Sequence, residues 1–191
     1  MLALLADGET ITIRPISKAD RSQLATGLSA TSEQSRFLRF MRMVDRLTEA
    51  ELDYLVNVDG VDHVALVAVV DGGQGIGVAR YIRDTEDPSL AEAAVMVLDA
   101  HHGRGVGTAL VKALADAALT NGVSRFTAYV LPENRAAIDG LTRAGAIIEQ
   151  EDGLLRMTVD LPLEEDLFCQ SALRVALREA AACDLTLDDQ L

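Results

Sequence analysis

The stretch Val95-Met96-Val97-Leu98-Asp99-Ala100-His101-His102-Gly103-Arg104-Gly105-Val106-Gly107-Thr108-Ala109-Leu110 decides how this chain is read. An apolar strand ends, a short polar turn follows, and three glycines at alternate positions open a helix. That helix is predicted over residues 103–120, with Val106, Leu110, Ala113, Leu114 and Ala117 on one face and Asn121-Gly122 as its stop. Glycine lets the backbone approach a ligand closely, and the first turn of a helix leaves N–H groups unpaired. Those donors, together with the positive end of the helix dipole, suit an anion such as a pyrophosphate. The dinucleotide spacing G-x-G-x-x-G fails here, because its third glycine would fall on Thr108 or Leu110. A P-loop fails as well, since no Gly-Lys-Ser/Thr occurs in the chain.

Working outward, residues 91–99 supply the strand before the loop. Before it, residues 63–71 and 76–83 read as a hairpin around Gly72-Gly73-Gln74-Gly75. An alternating strand over 9–16, with Ile11 and Ile13 on one face, opens the chain. Helices are predicted from Ser17 to about Ala30, over 33–43, and after Thr48, where Thr48-Glu49-Ala50-Glu51 forms a capping box. Beyond the glycine loop come a strand over 123–131, a helix from Asn134 to about Ala144, and a hairpin of 146–151 and 154–161 around Asp152-Gly153. This order predicts an α+β domain over residues 1–161 with a mixed, mostly antiparallel sheet flanked by helices. Residues 162–191 read as a C-terminal helical extension with an acidic tail, its stripe running from Phe168 to Ala180. Packing on its own domain is the favoured reading for that stripe; a homodimer contact through 163–180 is the alternative.

Composition bounds the function. The 191 residues carry 17 Lys plus Arg against 30 Asp plus Glu, a net charge of −13 that argues against nucleic acid or an anionic membrane as partner. No apolar run approaches the ~18 residues of a membrane span. Cys169 and Cys183 form no C-x-x-C pair, and His101 and His102 lack the spacing of a metal site, so neither disulfides nor a metal is expected. With no secretory leader in view, the expected location is cytoplasmic.

The run His102-Gly103-Arg104-Gly105-Val106-Gly107 resembles the Gln/Arg-x-x-Gly-x-Gly/Ala signature of the GNAT superfamily of N-acyltransferases, with His102 in the Gln/Arg slot. Pro132-Glu133-Asn134-Arg135-Ala136-Ala137-Ile138 followed by Arg143-Ala144-Gly145-Ala146 is similar to the family's later Asn-x-x-Ala…Gly-Phe segment. Ser35-Arg36-Phe37-Leu38-Arg39-Phe40, Arg46-Leu47-Thr48, His63 to Ala68 and Ala91-Glu92-Ala93 look like the GNAT domain of bacterial protein-lysine acetyltransferases. The resemblance implies a GNAT-like fold and acetyl-CoA as co-substrate. The pyrophosphate would lie over His102, Gly103, Arg104, Gly105, Val106, Gly107 and Thr108. The backbone of Val95, Met96 and Val97 would line the pantetheine arm, a backbone N–H near Val97 would meet the oxyanion, and Asn134 would complete the cofactor site.

Glu92 is an ionisable group among small apolar residues. Partial burial would raise its pKa toward neutrality, which suits a general base, and the resemblance implies that it draws a proton from the amine through water. A solvated edge residue is the competing reading. The family's general acid, a Tyr seven residues after the Asn, is here Leu141, with Tyr129 and Tyr81 as the nearby tyrosines. Arg36, Arg39 and Arg42, at three-residue spacing, border either an acceptor site or solvent. The expected activity is direct acetyl transfer to a primary amine, with a protein lysine first, a small-molecule amine second, and a non-catalytic acyl-CoA-binding module third.

Overall fold

The computed structural model describes residues 1–163. Eight strands and five helices follow one another as β1 (Leu2–Leu4), β2 (Thr10–Pro15), α1 (Arg21–Ser29), α2 (Glu33–Phe40), α3 (Glu49–Val56), β3 (His63–Val69), β4 (Gly75–Arg83), β5 (Leu90–Val97), α4 (Val106–Thr120), β6 (Arg125–Val130), α5 (Arg135–Arg143), β7 (Ile147–Glu151) and β8 (Leu154–Asp160). They form a single sheet ordered β1-β2-β3-β4-β5-β6-β8-β7. Every neighbouring pair is antiparallel except β5 and β6, as the sequence predicts for the sheet as a whole.

α4 is the amphipathic element that organises the core. Val106, Leu110, Ala113, Leu114 and Ala118 are buried against Ile11, Val64, Leu66, Ala79, Tyr81 and Phe126 on one face of the sheet. The helix lies so close that a Cβ on Gly77 would stand 3.0 Å from Leu110 Cδ1 and 3.2 Å from the Met96 carbonyl, so a larger residue at that strand position would have to push its neighbours aside. Truncating Leu110 to Ala there would cost about 2–5 kcal/mol. The other face carries α1 and α3 over Ile16, Val56 and Ala65. α2 lies over β5.

The differences from the sequence reading have local causes. β1 was not expected, because Leu-Ala-Leu is too short to show alternation; it forms by pairing with β2. α2 stops at Phe40 instead of running to Met43, because Met41 takes a left-handed φ of 54° that ends the helix. α4 begins at Val106 instead of Gly103, because Gly103 and Gly105 hold φ of 75° and 91°, outside the right-handed helix. The stretch assigned to the C-terminal helix, Phe168 to Ala180, lies outside the described residues, and with it the proposed contact through 163–180 beyond Leu163.

Candidate active site

The site is built on a split in the sheet. β5 pairs with β6 only at Leu90, Ala91 and Glu92, opposite Arg125, Phe126 and Thr127. On its other edge β5 stays bonded to β4 as far as Val97, and β6 stays bonded to β8 as far as Val130. From residue 93 onward the β6-facing edge of β5 therefore has no strand partner among the described residues, and its backbone groups face a gap between the two strands. An extended amide-bearing chain such as a pantetheine arm can pair there as a strand would. Alternation along the strand turns the N–H and C=O of Val95 and Val97 to this unpaired run, whereas those of Met96 face β4.

The glycine loop closes one end of the gap. Leu98 and a single 3-10 turn over Asp99–His101 lead into it. α4 has no side-chain cap, and its first backbone bond runs from the Ala109 N–H to the Gly105 carbonyl at 3.0 Å, leaving the N–H groups of Val106, Gly107 and Thr108 without a helical acceptor. A Cβ on Gly103 or Gly105 would meet nothing within 4 Å, so these two glycines are required by their left-handed φ and not by crowding. The loop is an anion cradle of backbone donors at a helix N-terminus.

Side chains fix this loop in place. His102 Nε2 donates to the Val97 carbonyl at 2.9 Å, which ties the loop to the end of β5 and occupies one of the acceptors expected to face the pantetheine. Arg104 turns away from the loop: Nε donates to Asp7 at 2.5 Å, Nη2 bonds Glu9, and Nη1 meets His101 Nδ1 at 2.7 Å. Its guanidinium anchors the loop to the β1–β2 turn, a different task from the phosphate contact expected of it. Asp99 Oδ2 accepts the N–H of Ser32, the cap of α2, at 2.8 Å. Burial pushes the Asp99 carboxyl up, and the bonds from Ser32 outweigh it, leaving it below the ordinary carboxylate value. Asn134 Oδ1 accepts the Ala137 N–H at 3.2 Å and so serves as the N-cap of α5.

Glu92 sits where β5 and β6 part. Cross-strand register puts His63, Ile82, Glu92 and Thr127 in one row on the face opposite α4, with Ala65, Arg80 and Ala94 in the adjoining row. Glu92 is exposed, so the burial on which its sequence-based assignment relied is not there. Its neighbourhood is instead charged: Glu92 counteracts the desolvation of Arg39, which comes down from α2. Of the three spaced arginines, Arg36 donates to the Thr31 carbonyl at 2.6 Å and Arg42 pairs with Glu51 at 2.8 Å; Arg39 alone faces this row.

Three residues of these two rows were missed from the sequence as members of the site. Arg80 is buried and donates to His63 Nε2 at 3.1 Å and to the Leu55 carbonyl at 3.2 Å. Burial, reinforced by the charge of Arg39, draws the Arg80 guanidinium down to about 10, so it remains a cation at neutral pH. Burial and the Arg80 charge also lower His63, which fits a neutral imidazole accepting from Arg80. Thr127 is buried with an unpartnered Oγ1. A lone arginine at an inward-alternating position of the apolar strand Gly-Ile-Gly-Val-Ala-Arg-Tyr was the signal available for Arg80. Tyr81 points to the opposite face, where its hydroxyl donates to the Val61 carbonyl and accepts from Asn121, both at 2.8 Å, so it is a core residue and not an acid for this site. No group of three or more potential metal ligands occurs among the described residues.

A parallel pair that splits, a glycine-rich helix N-terminus beside the split and a carboxylate at its apex together define a class of fold. The acetyltransferase (GNAT) family model matches residues 31–146, and the chain belongs to that family, enzymes that take the acetyl group from acetyl-CoA. It is 36% identical over 158 residues to Acetyltransferase Pat of Mycolicibacterium smegmatis, covering 81% of this chain and 47% of that protein, so the chain spans about half the length of this relative. The crystal structure of the GNAT domain of S. lividans PAT superposes with a TM-score of 0.80 at 35% identity, covering 84% of this chain and 96% of that one. An L-2,4-diaminobutyric acid acetyltransferase of Nocardia farcinica is 30% identical over 114 residues, 60% of this chain and 58% of that protein. The GNAT domain is thus similar in sequence and structure to those of these bacterial acetyltransferases.

Proposed function

We propose that this chain transfers the acetyl group of acetyl-CoA directly to a primary amine, with a protein lysine as the acceptor, and that residues 1–161 are the catalytic unit. The observation that carries the reading is the position of Glu92 at the apex of the β5–β6 split, at the opposite end of the same strand from the glycine loop. An ammonium has no lone pair, so the amine must first lose a proton; Glu92 accepts it, directly or through one water. The amine nitrogen then attacks the thioester carbonyl, a backbone N–H of β5 steadies the oxyanion, and the C–S bond breaks to release the CoA thiolate. With Leu141 in the usual tyrosine position, Tyr129 is the remaining tyrosine beside the split: it lies half-buried on β6, two residues beyond Thr127 and on the same side of the strand.

The cofactor site is read as the backbone of Val95 and Val97, on either side of Met96, with the donors over His102 to Thr108, and Asn134 contributes by holding the start of α5. A small amine carrying a carboxylate is the second reading, favoured by the arginines beside Glu92 and by the likeness to a diamino acid acetyltransferase. Glu92→Gln tests the chemistry: turnover should fall roughly 10²-fold with CoA affinity unchanged. Full activity in that variant would remove Glu92 from the reaction.

A further inference from the structure

Two guanidinium groups on the acceptor face form no ion pair among the described residues, although the Glu92 charge offsets part of the desolvation of Arg39. Arg80 is 7% exposed, and its two hydrogen-bond acceptors, an imidazole nitrogen and a carbonyl, are both neutral. Arg39 packs over the Phe40 ring, 5.3 Å from its centroid, on the helix that lies over β5, and its charge disfavours that of Arg80. Neither has a carboxylate within ion-pair distance among the described residues. Every other arginine there is either paired with an acidic side chain or exposed to solvent. In a chain with 30 acidic residues against 17 basic ones, Glu92 is the one carboxylate among the described residues that acts on either of them, and it makes no ion pair with them. The bond from Arg80 to Leu55, in the last turn of α3, accounts for one donor of a five-donor group. It does not account for a second cation brought in by α2. A buried cation with a second, half-buried cation near it is costly until an anion joins them.

We propose that Arg39 and Arg80 form an anion subsite that takes a carboxylate borne by the acceptor close to its reacting amine. The subsite lies beside Glu92: Arg80 stands opposite Ala94, two residues along β5, and α2, which carries Arg39, lies over the same strand. The remaining surface is strongly acidic and repels carboxylates, so a carboxylated amine is drawn to this pair and thereby oriented with its amine toward the split. The carboxylate has two sources, a free amino acid or an Asp or Glu next to a lysine in a protein. The inference rests on the acyl-transfer reading above.

The test is kcat/KM with acetyl-CoA for L-lysine against L-lysinamide, and for a Glu-Lys peptide against the same peptide with Gln-Lys. The carboxylate member of a pair should be favoured about 10-fold or more, mainly through KM. The pair that shows the preference identifies the source. Arg39→Gln and Arg80→Gln should abolish the preference with CoA affinity unchanged, and Arg80→Lys should restore part of it. Arg39 sits on a helix and bears no hydrogen bond in the core, so Arg39→Gln carries the test if Arg80→Gln fails to fold. Equal kcat/KM within both pairs, or a preference that survives Arg39→Gln, overturns the subsite. Should no acceptor be acetylated, the transfer reading fails, and calorimetric titration of glutarate still decides this one. Binding to the wild type that is lost in Arg39→Gln supports the subsite, and no binding to the wild type overturns it.

Discussion

The two ends of β5 solve different problems with different materials. At its C-terminal end, past Val97, the ligand cradle is backbone: unpaired N–H groups, left-handed glycines and a helix terminus, with His102 and Arg104 turned aside to hold the loop. Near its N-terminal end the surface is side chain, with Glu92, Arg39, Arg80, His63 and Thr127 converging from α2 and four strands. A backbone site recognises what all its ligands share, on the proposed reading a pyrophosphate and a peptide-like arm. A side-chain site can differ between relatives that use the same donor. The first end should therefore suffer from added side chains and tolerate their removal, and the second should do the reverse.

The largest effect expected is at the cradle. Gly107→Glu puts a carboxylate among the N–H donors that face the phosphates, where it competes as an anion and repels one. CoA affinity should drop more than about 100-fold. The fold should survive, because a Cβ at Gly107 meets only Val97 Cγ2, at an ordinary 3.7 Å. Calorimetry with CoA and a thermal melt measure the two halves; undiminished affinity would break the comparison at its first end.

The same contrast explains what was legible in the sequence. The cradle is contiguous: its strand, glycines and helix lie within residues 95–110, so local spacing carries its meaning. The helix start was misplaced by three residues only because φ at Gly103 and Gly105 is not written in periodicity. The capping box at Thr48 was read correctly, since all its partners lie within four residues, and Glu51 closes it with bonds of 2.8 and 2.9 Å. The acceptor end draws on residues from 39 to 127, brought together by strand order and register, and single-strand patterns do not encode these. Glu92 was found, but for the wrong environment, because small apolar neighbours along a strand say nothing of the open face beside a split sheet. The ion pairs of Arg104 were not legible either: its partners, Asp7 and Glu9, lie more than ninety residues away in the chain.

An intermediate effect belongs to the scaffold that holds the acceptor end. Asp20 is buried at the entry to α1, receives Arg14 at 2.6 and 2.8 Å, and accepts from the N–H and Oγ of Ser17. The Arg14 bond, with those from Ser17, draws its carboxyl from 3.8 to about 2. A folded pKa below the unfolded one gives stability that is complete above about pH 4 and is lost as pH falls toward 2. The contribution is at most about 2 kcal/mol, reduced because Arg14 is partly exposed to solvent. Asp20→Asn should therefore melt lower than the wild type at pH 7, with the gap closing by pH 2. A gap independent of pH would mean that the carboxylate charge is not what anchors the strand to the helix.

The smallest effect sharpens the contrast most, because it removes a charge from beside a polyanion's site. On a simple electrostatic reading Arg104, within the glycine loop of a chain with net charge −13, should be essential to CoA binding. The structure commits its guanidinium to Asp7 and Glu9, and that pairing lowers the Asp7 carboxyl through the Arg104 bond first. Asp7, Glu9 and Arg104 together carry one net negative charge, so deleting Arg104 alone leaves two carboxylates near the loop, whereas Arg104→Ala combined with Asp7→Asn and Glu9→Gln leaves none. If the cradle is backbone, the single variant should weaken CoA by a few-fold through repulsion and a looser loop, and the triple variant should recover most of that loss. The single variant's deficit should also shrink as salt is added, since exposed charges are screened over about 10 Å at 0.1 M. A salt-insensitive loss as deep as that of Gly107→Glu, not recovered in the triple variant, would make Arg104 a direct phosphate ligand and move side-chain recognition to both ends of β5.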